Sequence, residues 1–302
     1  DEVVILDGGS TDNTVLILRE YEKRLPLRIL VEPGSNISAG RNRAIAAANG
    51  DIIAVTDAGV ALDREWLQRI TQPLLDDPAL EVVSGFFRAF PTTIFEAALG
   101  ATTLPQVDEI DPAGFLPSSR SFALRKAAWI TVGGYPEWLD YCEDLILDLR
   151  LRQIAAPMVF EPRAVVYFRP RRTLEAFFKQ YYRYARGDGK AALWRKRHLA
   201  RYLTYLVAAP LILLLGLRFH KLFWGLFIPG AAYYFYQPYR RLPAVLDEAA
   251  RVGTLQPTPS NRRRAQALIP LIRVVGDIAK MLGYPVGWYW RLKNRPPDWR
   301  IV

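Results

Sequence analysis

Glu2-Val3-Val4-Ile5-Leu6-Asp7-Gly8-Gly9-Ser10-Thr11-Asp12 is the stretch on which the reading of the fold turns. Residues 3–6 are four apolar side chains in a row, the pattern of a short buried strand. A carboxylate and two glycines follow at once. Glycine lets the backbone turn sharply and approach a ligand, and Asp7 at the strand end can accept hydrogen bonds from a base or a sugar. A plainer reading stands beside it: Ser10-Thr11-Asp12 can cap the next helix.

Moving outward, strand-like and helix-like segments alternate. Residues 13–24 have helical spacing and Leu27–Val31 reads as a strand. Residues 38–48 read as a helix with Ser38 as N-cap and Gly50 just past its end. Residues 52–56 form a strand, 64–75 a helix and 82–87 a further strand. This rhythm predicts an α/β domain with a mostly parallel sheet and helices on both faces. Ligands of such sheets bind at the carboxyl ends of the strands, which singles out Asp7, Glu32, Asp57 and Arg88. Prolines break the pattern over 105–119, and Gly133-Gly134-Tyr135-Pro136 is a turn. Glu143–Gln153 and residues 173–186 read as helices.

Of 302 residues, 51% are hydrophobic and 23% charged. That composition excludes a disordered or fibrous chain. The lone cysteine, Cys142, excludes a disulfide scaffold and a cysteine-built zinc site. The net charge of +10 is unevenly spread. Residues 1–168 hold 15 Lys+Arg against 24 Asp+Glu, while residues 169–302 hold 25 against 6. Many of the basic residues flank uncharged segments, which argues against a nucleic-acid partner, since that needs a basic soluble face.

Residues 202–217 and 222–236 carry no charge and are separated by Arg218-Phe219-His220-Lys221. Sixteen helical residues reach about 24 Å, and snorkelling flanks can close the gap to a bilayer core of roughly 30 Å. Tyr202, Tyr205, Trp224, Tyr233, Tyr234 and Tyr236 suit interfacial belts. The reading is a membrane hairpin at 191–245, with a buried helical pair as the alternative because Pro210 and Pro229 interrupt the segments. Arg195, Lys196, Arg197, Arg201, Arg240 and Arg241 would hold both ends in the cytoplasm, against anionic lipid. Residues 253–264 read as a linker. Residues 268–290 read as an amphipathic membrane-surface helix, because Arg273, Asp277 and Lys280 share one face, or as a third span with a polar stripe.

Three further constellations carry chemistry. Asp57-Ala58-Gly59 ends a strand, where one carboxylate can face a nucleotide or help hold a divalent cation, or simply end a strand. Glu143-Asp144 opens a helix, where acidic residues are favoured by the helix dipole and where one carboxylate suffices as a general base. Arg183 and Arg186 lie three apart on an aromatic-rich helix and can hold a diphosphate, or face solvent or lipid.

In this order, Asp7-Gly8-Gly9-Ser10-Thr11-Asp12, Gly40-Arg41-Asn42, Asn49-Gly50-Asp51, Thr56-Asp57-Ala58-Gly59, Gly133-Gly134-Tyr135, Glu143-Asp144 and Gln180…Arg183-Tyr184 resemble the family 2 glycosyltransferases of GT-A fold. The resemblance covers residues 1 to about 190. It implies a Rossmann-like nucleotide-diphospho-sugar transferase domain at 1–190, and the uncharged segments beyond it read as a C-terminal helical membrane region at 191–245 and 246–302. It implies that the fold's first strand and helix lie outside this chain. It also implies an inverting enzyme of polysaccharide biosynthesis at the cytoplasmic face of the cell membrane. The donor would be a UDP-, GDP- or dTDP-linked sugar and the acceptor a glycan or a lipid-linked glycan. Asp144 matches the catalytic base and Asp7 the carboxylate that contacts the base of the nucleotide. Arg41, Asp57, Arg183 and Arg186 fall to the donor; Glu143, Gln180 and Tyr184 to the vicinity of the acceptor or diphosphate. The family's cation, Mg²⁺ or Mn²⁺, would sit on Asp57, but Gly59 stands where the family usually has a second Asp, and Gly8 replaces another frequent Asp. A non-catalytic, membrane-tethered nucleotide-sugar binder is the alternative that Gly59 favours.

Overall fold

The computed structural model describes residues 1–301. The chain divides into two compact units. The first comprises Asp1–Phe87, Ile110–Val166 and the described part of Pro296–Val302; the second comprises Arg88–Glu109 and Tyr167–Arg295. The division departs from a boundary at 190, because residues 88–109 and 167–190 group with the C-terminal helices.

The first unit is the α/β one. It begins with β1 (Val3–Asp7), α1 (Thr14–Tyr21), β2 (Leu27–Val31), α2 (Ile37–Ala47), β3 (Ile52–Val55), β4 (Val60–Leu62), α3 (Trp66–Asp76) and β5 (Val82–Ala89). After α4 (Ile94–Thr103), which lies in the second unit, come β6 (Phe122–Arg125), α5 (Lys126–Thr131), α6 (Glu143–Gln153) and β7 (Met158–Phe168). β1 and β2 pair in parallel, Val3 opposite Leu27 and Asp7 opposite Val31. The other five strands form a sheet in the order β3-β6-β5-β7-β4. Here the sequence reading needs correction. β6 runs antiparallel to both neighbours, β3 and β5, so this sheet is not mostly parallel.

Helices on both faces are confirmed, and the period-two alternation of the strands explains them. Val82, Phe122 and Leu124 face a cluster with Ile45 of α2 and Leu147 and Leu151 of α6. Val83 and Ala123 face the opposite cluster with Trp66, Ile70 and Leu74 of α3, which recur every fourth residue and so form one helical face. Arg150 of α6 anchors the returning C-terminal segment, its Nε donating to the Trp299 carbonyl at 2.8 Å.

The second unit is helical. It holds α4, α7 (Leu174–Ala191), α8 (Arg195–Leu203), α9 (Ala209–Arg218), α10 (Phe227–Arg251) and α11 (Pro259–Asn294). Ala97, Ala98, Ala101, Phe177, Leu242, Leu246, Ile269 and Ile272 build its core. Glycines bring α7 and α11 close: a Cβ at Gly283 would strike the Tyr182 carbonyl, and one at Gly287 the Arg186 carbonyl. Between α8 and α9 the chain widens into a π-helical turn, Thr204–Ala208, just before Pro210. Proline has no N–H to continue the ladder, which favours such a bulge.

Arg195–Arg218 is the one helical stretch among the described residues long and apolar enough to cross a membrane, and 6% of its apolar window is buried. Residues 222–236, read as a second hairpin arm, become a 3-10 turn (Lys221–Leu226) and the start of α10, which continues past Arg240 and Arg241 to a buried end at Leu242, Val245 and Leu246. α11 starts at Pro259, inside the residues read as linker, with Thr258 as N-cap. Its polar stripe is engaged inside this unit. Asp277 is buried, accepting from Arg201 Nε at 2.7 Å and Tyr234 Oη at 2.5 Å, and the Arg273 guanidinium lies 4.7 Å from the Tyr234 ring centre.

Candidate active site

The site of the first unit is built on α2. The cap of this helix is Asn36, whose Oδ1 accepts from the Ala39 N–H at 2.8 Å; Ser38, expected as the cap, is buried and donates to the Leu139 carbonyl at 2.9 Å. Both residue types cap well, and the earlier one wins. Gly40 lets α2 lie close to β1: a Cβ there would sit 3.3 Å from Leu6 Cδ2. Arg41 is thereby aimed between two strand and helix ends.

Arg41 joins two carboxylates. Its Nη2 donates to Asp57 Oδ1 at 2.5 Å, just past β3, and its Nη1 donates to Glu143 Oε1 at 2.5 Å, at the start of α6. Its guanidinium lies over the Tyr135 ring, 5.3 Å from the centre. Burial opposes the charge on Arg41, but Tyr135, Asp57 and Glu143 outweigh it and hold the guanidinium above its ordinary pKa. Burial, reinforced by the charge of Asp144, pushes Glu143 up to about 7 against the pull of Arg41. Tyr135 is buried, which raises its phenol, and its Oη lies 2.9 Å from Ser119 Oγ.

The Gly40-Arg41-Asn42 and Gly133-Gly134-Tyr135 motifs meet in space. Asn42 Oδ1 accepts from the Tyr135 N–H at 2.8 Å, and Asn42 Nδ2 donates to the Tyr135 carbonyl at 2.8 Å. Gly134 has φ +65°, and a Cβ there would stand 2.6 Å from Asn42 Oδ1, so only glycine fits.

Asp144 follows Glu143 in the first turn of α6, half-buried, its Oδ1 accepting from the Leu145 N–H at 2.8 Å. One turn on, Asp148 is buried and its Oδ2 makes no hydrogen bond. Burial, then the charge of Asp144, raises Asp148 well above the ordinary carboxylate range.

The sequence reading brought Asp57, Arg41, Glu143 and Asp144 to one site, and the structure joins Asp57, Arg41 and Glu143 directly. Asp7 behaves differently. It is buried, Oδ1 accepting from Gly9 N–H at 3.0 Å and Ser10 N–H at 2.8 Å, and Oδ2 from Ser10 Oγ at 2.5 Å. Its carboxylate closes the turn after β1, and the Ser10 hydroxyl and backbone bonds lower its pKa. Glu32 pairs with Arg43 Nε at 2.7 Å. Arg88 belongs to the second unit, where it pairs with Glu248 at 3.3 Å. Gln180, Arg183, Tyr184 and Arg186 lie on α7 of the second unit, where Gln180 Nε2 donates to Tyr184 Oη at 2.7 Å.

Arg120 and Asp148 escaped the sequence reading. Arg120 Nε stands 3.9 Å from Asp57 Oδ2. Its only signal was a lone arginine after the proline-bearing loop. The signal for Asp148 was its place four residues after Asp144, one helical turn on.

The residues around Asp57 do not fit a resident divalent cation. Such an ion takes several oxygen ligands. Gly59 offers no side chain, both Asp57 oxygens face guanidinium groups, and no group of three or more His, Cys, Asp or Glu able to hold a metal occurs among the described residues.

Comparison with known proteins adds the following. The family described as Glycosyl transferase family 2 matches residues 1–121. The succinoglycan biosynthesis protein ExoA of Rhizobium meliloti is 29% identical over 226 residues, 69% of this chain and 66% of that protein. The probable glycosyltransferase YdaM of Bacillus subtilis is 24% identical over 62% of this chain and 47% of its own length. The chain thus spans 66% and 47% of the length of these two relatives. Among solved structures, the mannosyltransferase PcManGT of Pyrobaculum calidifontis, in complex with GDP-Man and Mn²⁺, superposes with a TM-score of 0.51 at 19% identity, covering 98% of this chain and 79% of that one. That likeness is one of fold.

Proposed function

We propose that this chain, whose residues 1–121 match glycosyl transferase family 2, moves a sugar from a nucleoside diphosphate donor to an acceptor hydroxyl with inversion, using Asp144 as general base. The observation that supports this best is the bridge through Arg41. It ties Asp57 at the end of β3 to Glu143 at the start of α6, and so fixes a strand-end ligand site relative to the carboxylate next in sequence, Asp144.

The roles divide by environment. Glu143 is buried and paired with Arg41, so it positions. Asp144 is half-buried, its Oδ1 accepting from the N–H of Leu145, and its Oδ2 is assigned to the acceptor. The acceptor oxygen attacks the anomeric carbon as its proton passes to Asp144. The bond from that carbon to the diphosphate oxygen breaks, and the nucleoside diphosphate leaves with the electron pair. One displacement inverts the anomeric centre. Guanidinium groups held in place meet the charge that gathers on the leaving group. On the family resemblance, Gln180, Arg183, Tyr184 and Arg186 are assigned to the acceptor or diphosphate.

The relative named for succinoglycan biosynthesis supports a glycan or lipid-linked glycan acceptor. The apolar, exposed stretch Arg195–Arg218 supports attachment to a membrane, with the site in the cytoplasm. The test is a donor screen by thermal shift with UDP-, GDP- and dTDP-linked sugars. Under this proposal one nucleotide raises the melting temperature in proportion to the logarithm of its concentration, and transfer follows with a suitable acceptor. A non-catalytic binder would show the shift with no transfer. If none of the three nucleotides shifts the melting temperature, the donor assignment is wrong.

A further inference from the structure

The turn after β3 is shaped for something other than a metal. Asp57 Oδ1 is 2.5 Å from Arg41 Nη2, and Asp57 Oδ2 is 3.9 Å from Arg120 Nε. Two guanidinium groups therefore flank one carboxylate from its two oxygens. Gly59, two residues on, has φ +86°, a left-handed conformation that L side chains rarely adopt. The turn is thus built around glycine at the place where a second carboxylate would have to stand.

Charge leads the same way. A divalent ion on Asp57 would stand beside the Arg41 and Arg120 guanidinium groups, two like charges that oppose its binding. Left as they are, two guanidinium charges face the carboxylates of Asp57 and Glu143, and burial keeps part of the Glu143 population neutral near pH 7. Among these four side chains the guanidinium charges at least balance the carboxylates, Asp144 lying next to Glu143 outside that count. Each guanidinium has five N–H donors in a planar fork that suits phosphate oxygens, and Arg41 commits two of its own to Asp57 and Glu143.

We propose that this site binds the donor diphosphate without a resident divalent cation, Arg120 and Arg41 supplying the positive charge opposite it. Arg120 faces the diphosphate, and Arg41 holds Asp57 and Glu143 in place behind it. The proposal rests on the nucleotide-sugar reading above and goes further in naming what neutralises the diphosphate.

The test uses the full chain, titrated with UDP, GDP and dTDP by calorimetry in EDTA and again in 1 mM Mn²⁺, with Mn²⁺ binding followed separately by electron paramagnetic resonance. The expected result is one nucleotide whose Kd differs by less than about threefold between the two buffers. Arg120→Ala should weaken it about tenfold or more in both, with Arg120→Lys recovering part of the loss. Wild-type protein should leave the Mn²⁺ signal that of the free ion. Free Mn²⁺ titrated with EDTA in the same buffer shows that the signal responds to binding. Binding that tightens tenfold or more with Mn²⁺, stoichiometric Mn²⁺ uptake by the wild type, or an Arg120→Ala variant with unchanged Kd would each overturn the proposal and leave the glycosyltransferase reading standing. Failure of all three nucleotides in both buffers would remove that reading and the proposal together.

Discussion

Arg41 is the residue on which the site turns. It was legible in the sequence only as the middle of Gly40-Arg41-Asn42; that it bridges Asp57 and Glu143 is a tertiary fact, carried across 16 and 102 residues of chain. Asp148 shows the opposite case, a group that no motif flagged. Buried without a hydrogen bond at Oδ2, it holds its proton more tightly in the folded chain than in the unfolded one. Its pKa is raised on folding, so its contribution to stability is full below the unfolded value near 4 and declines as pH rises above it. Glu143 acts in the same direction up to about 7. Asp148→Asn is therefore expected to flatten the fall of unfolding free energy between about pH 4 and pH 7 without abolishing it, because Glu143 remains. Urea unfolding at a series of pH values measures this; an unchanged slope would mean that Asp148 is ionised in the fold.

The elements were read with uneven success, and each miss has a physical cause. β2 and α6 have the predicted bounds, Leu27–Val31 and Glu143–Gln153, because apolar runs and helical periodicity are local signals. The direction of β6 is not local. Phe122–Arg125 pairs with β3 and β5, and four residues say nothing about which way a strand runs. The stripe Arg273, Asp277 and Lys280 on α11 has the period of an amphipathic helix in either setting. What decides is Arg201 and Tyr234, far away in sequence and bonded to Asp277. Close packing of α7 on α11 depends on glycines in the same hidden way. Gly287→Ala would drive a methyl group into the Arg186 carbonyl, and overpacking of this kind costs about 1–3 kcal/mol. Chemical denaturation should show that loss, whereas alanine at Gly230, whose added Cβ meets nothing within 4 Å, should not clash.

For the whole molecule, charge and hydropathy segregate along the chain. The first 168 residues are acidic, and the remainder basic with an apolar stretch inside it. Leu206, Leu211, Leu213, Leu214 and Leu217 are exposed, which water alone would not favour. The chain is expected to sediment with vesicles containing anionic lipid and to be weakened by salt, each basic residue near the surface adding about 1 kcal/mol. Leu214→Glu should reduce sedimentation further; equal recovery with and without vesicles would contradict membrane attachment. The chemistry assigned to the chain is tested most directly by glycosyl transfer in Asp144→Asn, measured beside donor affinity. The expected result is a turnover about 10²–10⁴-fold lower with donor Kd within about threefold of wild type. Transfer at the wild-type rate would contradict the assignment of Asp144 as the base.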